Sequence, residues 1–583
     1  MTIATLRRGS ATIPEAPGVM PATSSEALEL ALEELSSHKD EWAALPIAER
    51  IALVEALRAG FAREAERWVE LSARAKGIDP EEPAAGEEWI TGPYFLLRNL
   101  RLLRRSLEDI ARFGRPRIPG RVTVRDGGQV VARVFPGDLS DRVFFRGFTA
   151  DVWMQAGVSA EELAATQAVA YQPGARAGAL ALVLGAGNIA SIAPMDALYK
   201  LFVEKRVVIL KMNPVNAYLG PLIADACREL VERGFLHVVY GGAEEGAFLC
   251  RHAAVDEVHI TGSDRSHDAI VFGAGEEGAR RKAEGRPLLD KPISSELGNV
   301  SPVIVAPGAW SASDIEFHAA NVATQLVYNA GFNCVSARVL VTWSRWPQRR
   351  AFLDALRRVF AAQPPRLSYY PGSMERLHTF LARHPKAERF GARTEDRLPW
   401  VLVSGLDPAD PADICFTTEA FCGLMGETAV EAGSAPEFLD RAVAFANDTV
   451  FGNLAAGIIV HPAARRDPAM REAVERAIAR LRYGTVSVNH WSAAGYALGC
   501  TPWGAFAGNR LGDVRSGIGV VHNTLMFSRV EKNVVRGPFR MAPLPPWFVT
   551  NRNAHRIGRR LTRFEARPSL GRALAVSLAA LRG

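Results

Sequence analysis

Apolar residues recur at helical spacing in the first part of the chain. Between residues 25 and 75 they include Trp42 and Phe61, and Pro46 is placed to begin a second helix. A spacing of three to four residues puts such side chains on one face of a helix. The pattern therefore predicts two helices ahead of any sheet. Residues 1–25, which are small, polar and contain proline, are expected to form a disordered arm.

The pattern changes twice after these helices. Between residues 121 and 135 it alternates in "RVTVRDGGQVVARVF", where Gly127 and Gly128 predict a hairpin turn. From residue 179 apolar strands alternate with helices of 10 to 15 residues, which indicates a parallel, doubly wound sheet. Ligands bind such sheets at the carboxyl ends of the strands. Four predicted strands end in small or polar residues: "ALALVLGAG", "RVVILKMN", "LHVVYGG" and "DEVHITGS".

A second series of strands and helices follows "SPVIVA" at residues 301–306. A helix, the strand "ARVLVTW" and another helix come next, so a second α/β domain is expected. Residues 363–400, rich in proline, arginine and aromatics, are expected to form surface loop and short helix.

Composition narrows the class of protein. The chain has 583 residues, of which 48% are hydrophobic and 23% charged, as in ordinary globular proteins of two or three domains. Its six cysteines are scattered without a CxxC pair or metal-ligand spacing, so neither a disulfide framework nor a metal site is predicted. No segment offers about 20 consecutive apolar residues or a signal-peptide core. A reducing, cytoplasmic setting is therefore expected.

The net charge of +6 is unevenly distributed. Residues 551–583 hold eight arginines and one acid, Glu565, so the rest of the chain is close to neutral. Nucleic-acid binding by the main body is not expected. In the same tail Leu570, Leu574 and Leu578 recur on one helical face, which suits contact with an anionic membrane surface. Docking of this helix on the protein itself or on a neighbouring subunit is the alternative.

Nine short motifs occur in an order that resembles the aldehyde dehydrogenase superfamily over roughly residues 40–535. Each falls at a predicted strand end or turn. They are "GAGN" (185–188), "VILK" (208–211), "GGAEEG" (241–246), "ITGS" (260–263), "ELGNVSP" (296–302), "GFNC" (331–334), "EAFCG" (419–423), "ANDTVFGN" (446–453) and "GTVSVN" (484–489).

The resemblance implies an α/β fold with two doubly wound domains, one cofactor-binding and one catalytic, and a small β oligomerisation sheet. The expected divisions are the arm 1–25, a cofactor domain 26–296 with the hairpin 121–135, a catalytic domain 297–483, a return segment 484–540 and a basic amphipathic tail 541–583. A homodimer or homotetramer is implied, with contact between 551–583 and a membrane as a further hypothesis.

Three residues would carry the chemistry. A lone cysteine is usually an inert buried thiol, but the resemblance makes Cys334 the nucleophile that attacks an aldehyde to give a thiohemiacetal and then a thioester. Asn188 would donate to the oxyanion together with a backbone N–H. Glu296 would activate water for hydrolysis of the thioester, since a buried carboxylate can have its pKa raised towards neutrality.

Eight residues would bind NAD or NADP. Lys211 would contact the adenosine ribose, a glycine-rich helix start would suit the pyrophosphate, and Glu419 would hold the nicotinamide ribose. Helix capping, turns and core packing are the plain alternatives for each of them. The full set is Lys211, Gly241, Gly242, Gly246, Gly262, Ser263, Glu419 and Phe421.

Several positions depart from the usual family pattern. Met212-Asn213-Pro214 replaces Pro-Ser-Glu, whose acid binds the adenosine ribose, so NADP is as plausible as NAD. Asn299 replaces a glycine, and Phe332-Asn333 replaces a usual glutamine region. With the C-terminal-loop aromatics, these changes predict an apolar, roomy substrate tunnel for a long-chain or aromatic aldehyde. Those aromatics are Trp491, Tyr496, Trp503 and Phe506.

Two other functions remain open. One is reduction of an acyl-CoA or other activated acyl group, or acylating aldehyde dehydrogenation, through the same Cys334 thioester. Acylating relatives commonly lack the glutamate at Glu296, which favours hydrolysis to a free acid. The other is a catalytically weak scaffold that binds a membrane or a partner through its tail.

Overall fold

The computed structural model describes residues 8–174, 177–392 and 394–583. Its α-helices, in chain order, are α1 Ser25–Ala44, α2 Ile47–Ala75, α3 Gly86–Trp89, α4 Phe95–Phe113, α5 Leu139–Phe144, α6 Ile192–Phe202, α7 Gly220–Ala226, α8 Arg228–Glu232, α9 Ala243–Arg251, α10 Asp264–Phe272, α11 Gly275–Ala283, α12 Ala312–Val327, α13 Arg349–Ala362, α14 Ser373–Arg383, α15 Ile414–Thr417, α16 Ala435–Asp448, α17 Pro468–Arg480, α18 Ala494–Ala497, α19 Ala554–Ala566 and α20 Leu570–Ala580.

The strands interleave with these helices. In chain order they are β1 Gly9–Ser10, β2 Val122–Val124, β3 Val130–Phe135, β4 Thr149–Met154, β5 Leu180–Leu184, β6 Val207–Lys211, β7 Leu236–Val239, β8 Glu257–Gly262, β9 Ile293–Leu297, β10 Ser301–Val305, β11 Ala337–Trp343, β12 Arg366–Leu367, β13 Glu388–Phe390, β14 Arg397–Leu398, β15 Trp400–Leu406, β16 Thr418–Glu419, β17 Leu424–Val430, β18 Ala455–Ile459, β19 Thr485–Val488, β20 Gly517–Ile518 and β21 Val530–Arg536.

The first α/β domain is built on a sheet with the order β20-β9-β8-β5-β6-β7. Its strands β5 to β9 are parallel, and only the short β20 runs antiparallel, against β9. The chain moves outward from β5 to β7 and then returns to the other side of β5 with β8. This reversal leaves a crevice beyond the carboxyl ends of β5 and β8, which is where the doubly wound pattern predicts a ligand.

The second domain is built on a longer sheet, with the order β13-β15-β17-β11-β10-β18-β19-β21-β4-β3-β2. The run from β15 to β21 is parallel and is buried on both faces by helices, as its continuous apolar strands require. The α/β fold with two doubly wound domains, predicted from the alternation of strands and helices, is confirmed.

The predicted hairpin forms and extends this second sheet. Strands β2 and β3 pair antiparallel around Gly127 and Gly128, and β4 joins β3 to β21. These three strands are therefore continuous with the parallel part of the second sheet. β2 lies at its edge, with Val122 and Val124 exposed. Its role in oligomer formation stays a prediction.

The two predicted entry helices are confirmed as α1 and α2, and Pro46 is the residue that precedes α2. Trp42 and Phe61 are buried in the core of the first domain, where α1 packs on the sheet and α2 on α4 and α7. The helical segment after β6 is divided at Cys227 into α7 and α8.

The N-terminal arm differs from the disorder predicted for it. Residues 1–7 lie outside the described residues, but residues 8–23 run across the first domain in defined contacts, and we call them the N-terminal strap. Gly9 and Ser10 pair in parallel with β16, and Thr23 exchanges hydrogen bonds with Tyr240. Periodicity could not indicate this order, because it comes from backbone pairing with residues more than 200 positions away.

The basic tail forms two helices of different character. α19 packs on α3 and α4, and the carboxylate of its Glu565 is buried against the guanidinium groups of Arg98 and Arg101. α20 packs on α19 and leaves the leucines of its outer face, among them Leu570 and Leu574, exposed. Docking on the protein itself is thus found for α19, while membrane contact through 551–583 stays a prediction.

The Glu565 carboxylate should be important for stability. Glu565→Ala is expected to lower the free energy of unfolding by about 3–5 kcal/mol, because it leaves Arg98 and Arg101 with buried, partly unpaired charge. Chemical denaturation measures this change. The matched control is Glu66→Ala, which removes exposed ion pairs to Arg559 and Arg563 and should cost about 1 kcal/mol or less. Equal losses for the two variants would contradict the assignment.

Within the described part of the chain, no helix has both the length and the apolar character needed to cross a bilayer.

Candidate active site

The loop before β11 places Cys334 beside two cavities. Residues 329–331 have left-handed backbone angles, with φ of 53°, 56° and 79°. Glycine is required at the third position, because a Cβ on Gly331 would lie 2.6 Å from the carbonyl oxygen of Cys422. The buried guanidinium of Arg338 donates to the carbonyls of Gly331 and Cys422. The loop that carries the cysteine is therefore held in one conformation.

Glu296 lies at the end of β9 and contacts this cysteine. Its carboxyl group lies close enough to the Cys334 thiol for the two to affect each other's pKa, and its Oε1 is buried without a hydrogen-bond partner among the described residues. Burial raises the pKa of Glu296 to about 8. Burial and the nearby carboxyl groups of Glu296 and Glu419 raise the pKa of Cys334 well above its usual value. Near neutral pH Cys334 therefore holds its proton, and the fraction of Glu296 that is ionised can accept it.

Asn188 is fixed next to the cysteine loop by both of its polar ends. Its Nδ2 donates to the carbonyl of Phe332 over 2.9 Å. Its own backbone carbonyl accepts from Lys76 Nζ at 3.1 Å, Asn329 Nδ2 at 3.0 Å and Tyr369 Oη at 3.3 Å. Because an amide nitrogen carries two hydrogens, one of them remains for a ligand.

Two cavities meet at Cys334 and Glu296, which line both of them. The first is an apolar tunnel of about 110 Å³, walled by side chains such as Tyr94, Phe95, Trp491, Tyr496, Trp503 and Leu561. The predicted aromatics are therefore largely in place, but the predicted roominess is wrong, since the side chains of α4, α18 and α19 narrow the tunnel. Phe506 and Phe332 lie outside it; Phe332 packs on Tyr369 and Tyr370.

The second cavity is a cleft of about 750 Å³ lined by both domains. It opens at the carboxyl ends of β5, β6 and β8, and Asn188 also lines it. Seven of the eight residues predicted to bind a dinucleotide line this cleft, and the eighth, Gly241, lines an adjoining cavity of about 340 Å³. The seven are Lys211, Gly242, Gly246, Gly262, Ser263, Glu419 and Phe421.

Glu419 lies at the end of the cleft nearest Cys334. Its Oε1 is buried and has no hydrogen-bond partner among the described residues, although the backbone N–H of Asn299 donates to the carboxylate. Burial raises the pKa of Glu419 to about 7. Phe421 follows with a left-handed φ of 43° and packs on Phe332.

The far end of the cleft is formed by the start of α9 and the end of β6. Lys211 Nζ donates to the carbonyl of Gly241 at 2.6 Å. The first N–H groups of α9 are already bound to carboxylates: that of Gly242 donates to Glu245, and that of Ala243 to Glu15. Ser263, in contrast, caps α10, its hydroxyl accepting from the N–H of Ser266.

A sequence profile of the aldehyde dehydrogenase family matches residues 187–363, which include Asn188, Glu296 and Cys334. This segment of the chain is similar to the aldehyde dehydrogenase family. Among similar curated proteins, the aminoacetaldehyde dehydrogenase of Pseudomonas aeruginosa is 27% identical over 314 residues, or 51% of this chain and 56% of that protein. The N-succinylglutamate 5-semialdehyde dehydrogenase of Novosphingobium aromaticivorans is 28% identical over 180 residues, or 31% of this chain and 34% of that protein. The chain thus matches at most about half of the length of these two relatives.

Solved structures of aldehyde dehydrogenases have the same fold as this chain. The NAD-dependent aldehyde dehydrogenase of Sinorhizobium meliloti is 17% identical, with a TM-score of 0.58 and 92% of each chain covered. The NADP-dependent glyceraldehyde-3-phosphate dehydrogenase of Bacillus halodurans, solved with NADP, is 17% identical, with a TM-score of 0.57 over 88% of this chain and 92% of that chain.

The sequence did not indicate three features of this candidate site. Lys76, at the end of α2, is buried in an ion pair with Glu88 and holds Asn188. Trp491 Nε1 donates to the carbonyl of Val335 at 2.7 Å, next to the cysteine. Glu15 reaches the cleft from the strap. A lysine at a helix end and an acid in a proline-containing arm carry no pattern that marks such roles.

One further cluster lies away from both cavities. His384, Asp413 and Cys415 bring one potential metal-ligand atom each within 4.8 Å of one another. The Asp413 carboxylate already accepts from the N–H of Cys415 and pairs with His384. These contacts account for the cluster without a metal ion.

Proposed function

We propose that this protein oxidises an apolar aldehyde to the carboxylic acid, with NAD or NADP as the hydride acceptor. The observation that carries the proposal is the position of Cys334 and Glu296 at the junction of tunnel and cleft. A thiol at such a junction can hold an aldehyde carbon that enters from one side and face a dinucleotide on the other. Oxidation through a covalent adduct requires this proximity.

The cleft fits a dinucleotide. Its volume lies in the range of ordinary ligand sites, and the unpartnered Oε1 of Glu419 could accept from a hydroxyl of the nicotinamide ribose. Lys211 and Ser263, which also line the cleft, would contact other parts of the dinucleotide. Bound NAD or NADP would supply the acceptor for the hydride.

The first half of the reaction begins at the thiol. Glu296 takes the proton of Cys334, and the sulfur attacks the carbonyl carbon, so that a C–S bond forms and negative charge develops on the oxygen. One Asn188 N–H and the backbone N–H of Cys334 would stabilise that charge. The C–H bond then breaks as hydride leaves, the C=O bond re-forms, and Cys334 carries a thioester.

The second half is hydrolysis. Glu296 releases its proton to solvent and then takes a proton from a water molecule that attacks the thioester carbon. The C–S bond breaks, the carboxylic acid leaves, and the side chain of Cys334 is free again for the next turnover. A carboxyl group with a pKa raised to about 8 is a stronger base than an ordinary glutamate.

A direct test incubates the protein with NAD or NADP and a panel of aldehydes, and follows the absorbance of the reduced nicotinamide. Turnover that yields the free acid supports the proposal. Activity only with NADPH and acyl-CoAs would instead support reduction of activated acyl groups. No activity in either assay would contradict the proposal and favour the hypothesis of a catalytically weak scaffold.

The tunnel should select against charged aldehydes. Among its described lining residues there is no lysine or arginine, and burial lowers the pKa of His490 to about 4, so this histidine is neutral. A charged group would lose its hydration there without gaining a partner. We therefore expect kcat/KM for an alkyl or aryl aldehyde to exceed that of an ω-amino or ω-carboxyl aldehyde of equal length by at least about 100-fold. Equal values for the neutral and charged members of a pair would contradict this.

A further inference from the structure

The N-terminal strap contacts residues at both ends of the cleft. Next to Cys334, its Ser10 pairs with Glu419, and the Ser10 N–H donates to Asp264 at 2.8 Å. At the far end Glu15 Oε1 accepts from the N–H of Ala243 at 2.7 Å. Residues 13–16, which include the second anchor, Glu15, line the cleft. The strap is therefore part of the wall of the site.

Other parts of the chain leave room for the strap. A Cβ on Gly242 would stand 1.7 Å from Glu15 Oε1, and a Cβ on Gly372 would stand 2.4 Å from Pro14 Cδ. A side chain at either position would displace the strap. Glycines in two distant segments thus match its path, which indicates a built contact.

Charge at the far end of the cleft is predominantly negative. The adjoining cavity of about 340 Å³ is lined by Glu15, Glu244 and Glu245, and no lysine or arginine is among its described lining residues. The cations that line the main cleft are Lys211, bound to the Gly241 carbonyl, and Arg251. With the nicotinamide at Cys334, the adenosine must lie at this far end.

The negative charge at the far end of the cleft acts differently on NAD and on NADP. A carboxylate beside the adenosine ribose accepts hydrogen bonds from its hydroxyls, whereas it repels a 2′-phosphate. At the end of β6, Met212-Asn213-Pro214 offers no acid for this purpose. Glu15 reaches the same region from a different part of the chain.

We propose that the N-terminal strap completes the adenosine end of the site and that its Glu15 makes the protein select NAD over NADP. This inference rests on the proposed function, because it assumes that the cleft binds a dinucleotide. Glu15 acts here as a specificity-determining residue and takes no part in the chemical steps at Cys334.

Equilibrium titration of the full-length protein with NAD and with NADP, followed by intrinsic tryptophan fluorescence, tests the inference without turnover. NAD is expected to bind at least about tenfold more tightly than NADP. Glu15→Gln should reduce this ratio by about tenfold, mainly through tighter binding of NADP. The ratio should also shrink at high ionic strength, since the charges at the cleft opening are screened.

Three comparisons make the result decisive. Glu15→Asp keeps the charge and should retain most of the preference, and Glu33→Gln, at an exposed position of α1, should leave it unchanged. Thermal unfolding of each variant shows whether the fold is retained. NADP binding as tight as NAD in the native chain, or a Glu15→Gln variant that is folded and keeps the native ratio, would overturn the inference. Failure to bind either dinucleotide would overturn the proposed function as well.

Discussion

Replacing Cys334 with alanine is expected to abolish NAD(P)-linked aldehyde oxidation. The variant loses the sulfur that forms the adduct, and no other cysteine in the described residues lines both the tunnel and the cleft. We expect kcat to fall by at least about 10⁴-fold, the size of effect seen when a covalent nucleophile is removed. The absorbance of the reduced nicotinamide measures it, under conditions that saturate the native protein.

Cys227→Ala is the matched control. Cys227 is a buried thiol between α7 and α8 and lines neither cavity, and burial raises its pKa far above the usual value, so that it stays protonated. This variant should keep turnover close to that of the native protein, apart from a modest loss of stability. A Cys334→Ala variant that still oxidises aldehydes would show that the mechanism is wrong.

Glu296→Gln is expected to separate the two halves of the reaction. Glutamine keeps the shape of the side chain but cannot take a proton from water, so the thioester should form and then persist. We expect a first turnover of reduced nicotinamide followed by a steady-state rate lowered by about 10²–10⁴-fold. Because Glu296 also contacts the thiol, the first turnover should slow as well, to a smaller extent. Rapid-mixing absorbance measurements resolve both phases.

The pH dependence gives this prediction a second readout. Only the ionised carboxylate can accept a proton, and the pKa of Glu296 is raised to about 8 by burial. The steady-state rate of the native protein should therefore rise with pH through about 8, and this rise should be absent in Glu296→Gln. Unchanged steady-state turnover in the variant would contradict hydrolysis by Glu296. Rescue of the variant by added coenzyme A, giving an acyl-CoA product, would favour the acylating alternative.

The fold could be predicted from the sequence because it follows from local patterns, whereas the roles of Cys334, Asn188 and Glu296 are predictions from the family resemblance. Apolar runs bounded by small residues gave the strands, and the carboxyl ends of parallel strands necessarily meet at one edge of a sheet. Asn188 after β5 and Glu296 at the end of β9 are therefore brought towards the cysteine loop by topology alone.

Features that depend on packing between distant segments could not be predicted. The strap has no periodicity, and its order arises from contacts with β16, α9 and Tyr240. The width of the tunnel depends on where α19 docks, which in turn depends on the buried pairs of Glu565. The sequence indicated that aromatic side chains line the tunnel, but it could not give the distances between them.

The absence of a family acid after Lys211 shows how a sequence argument can be incomplete. From Met212-Asn213-Pro214 alone, the loss of the acid removes a barrier to NADP. In the structure Glu15 lies at the same end of the cleft, so the negative charge is supplied by another segment. A change at one motif position is therefore interpreted safely only with the residues that surround it in space.

The central claim is that the acyl group is carried by Cys334. The most direct measurement incubates Glu296→Gln with an apolar aldehyde and NAD, quenches in acid, and determines by peptide mass spectrometry which residue is acylated. We predict the mass of one acyl group on the peptide that contains "GFNC", in an amount equal to the reduced nicotinamide formed. Acylation of a different residue, or reduced nicotinamide formed without any acyl-peptide at the earliest times, would contradict the account.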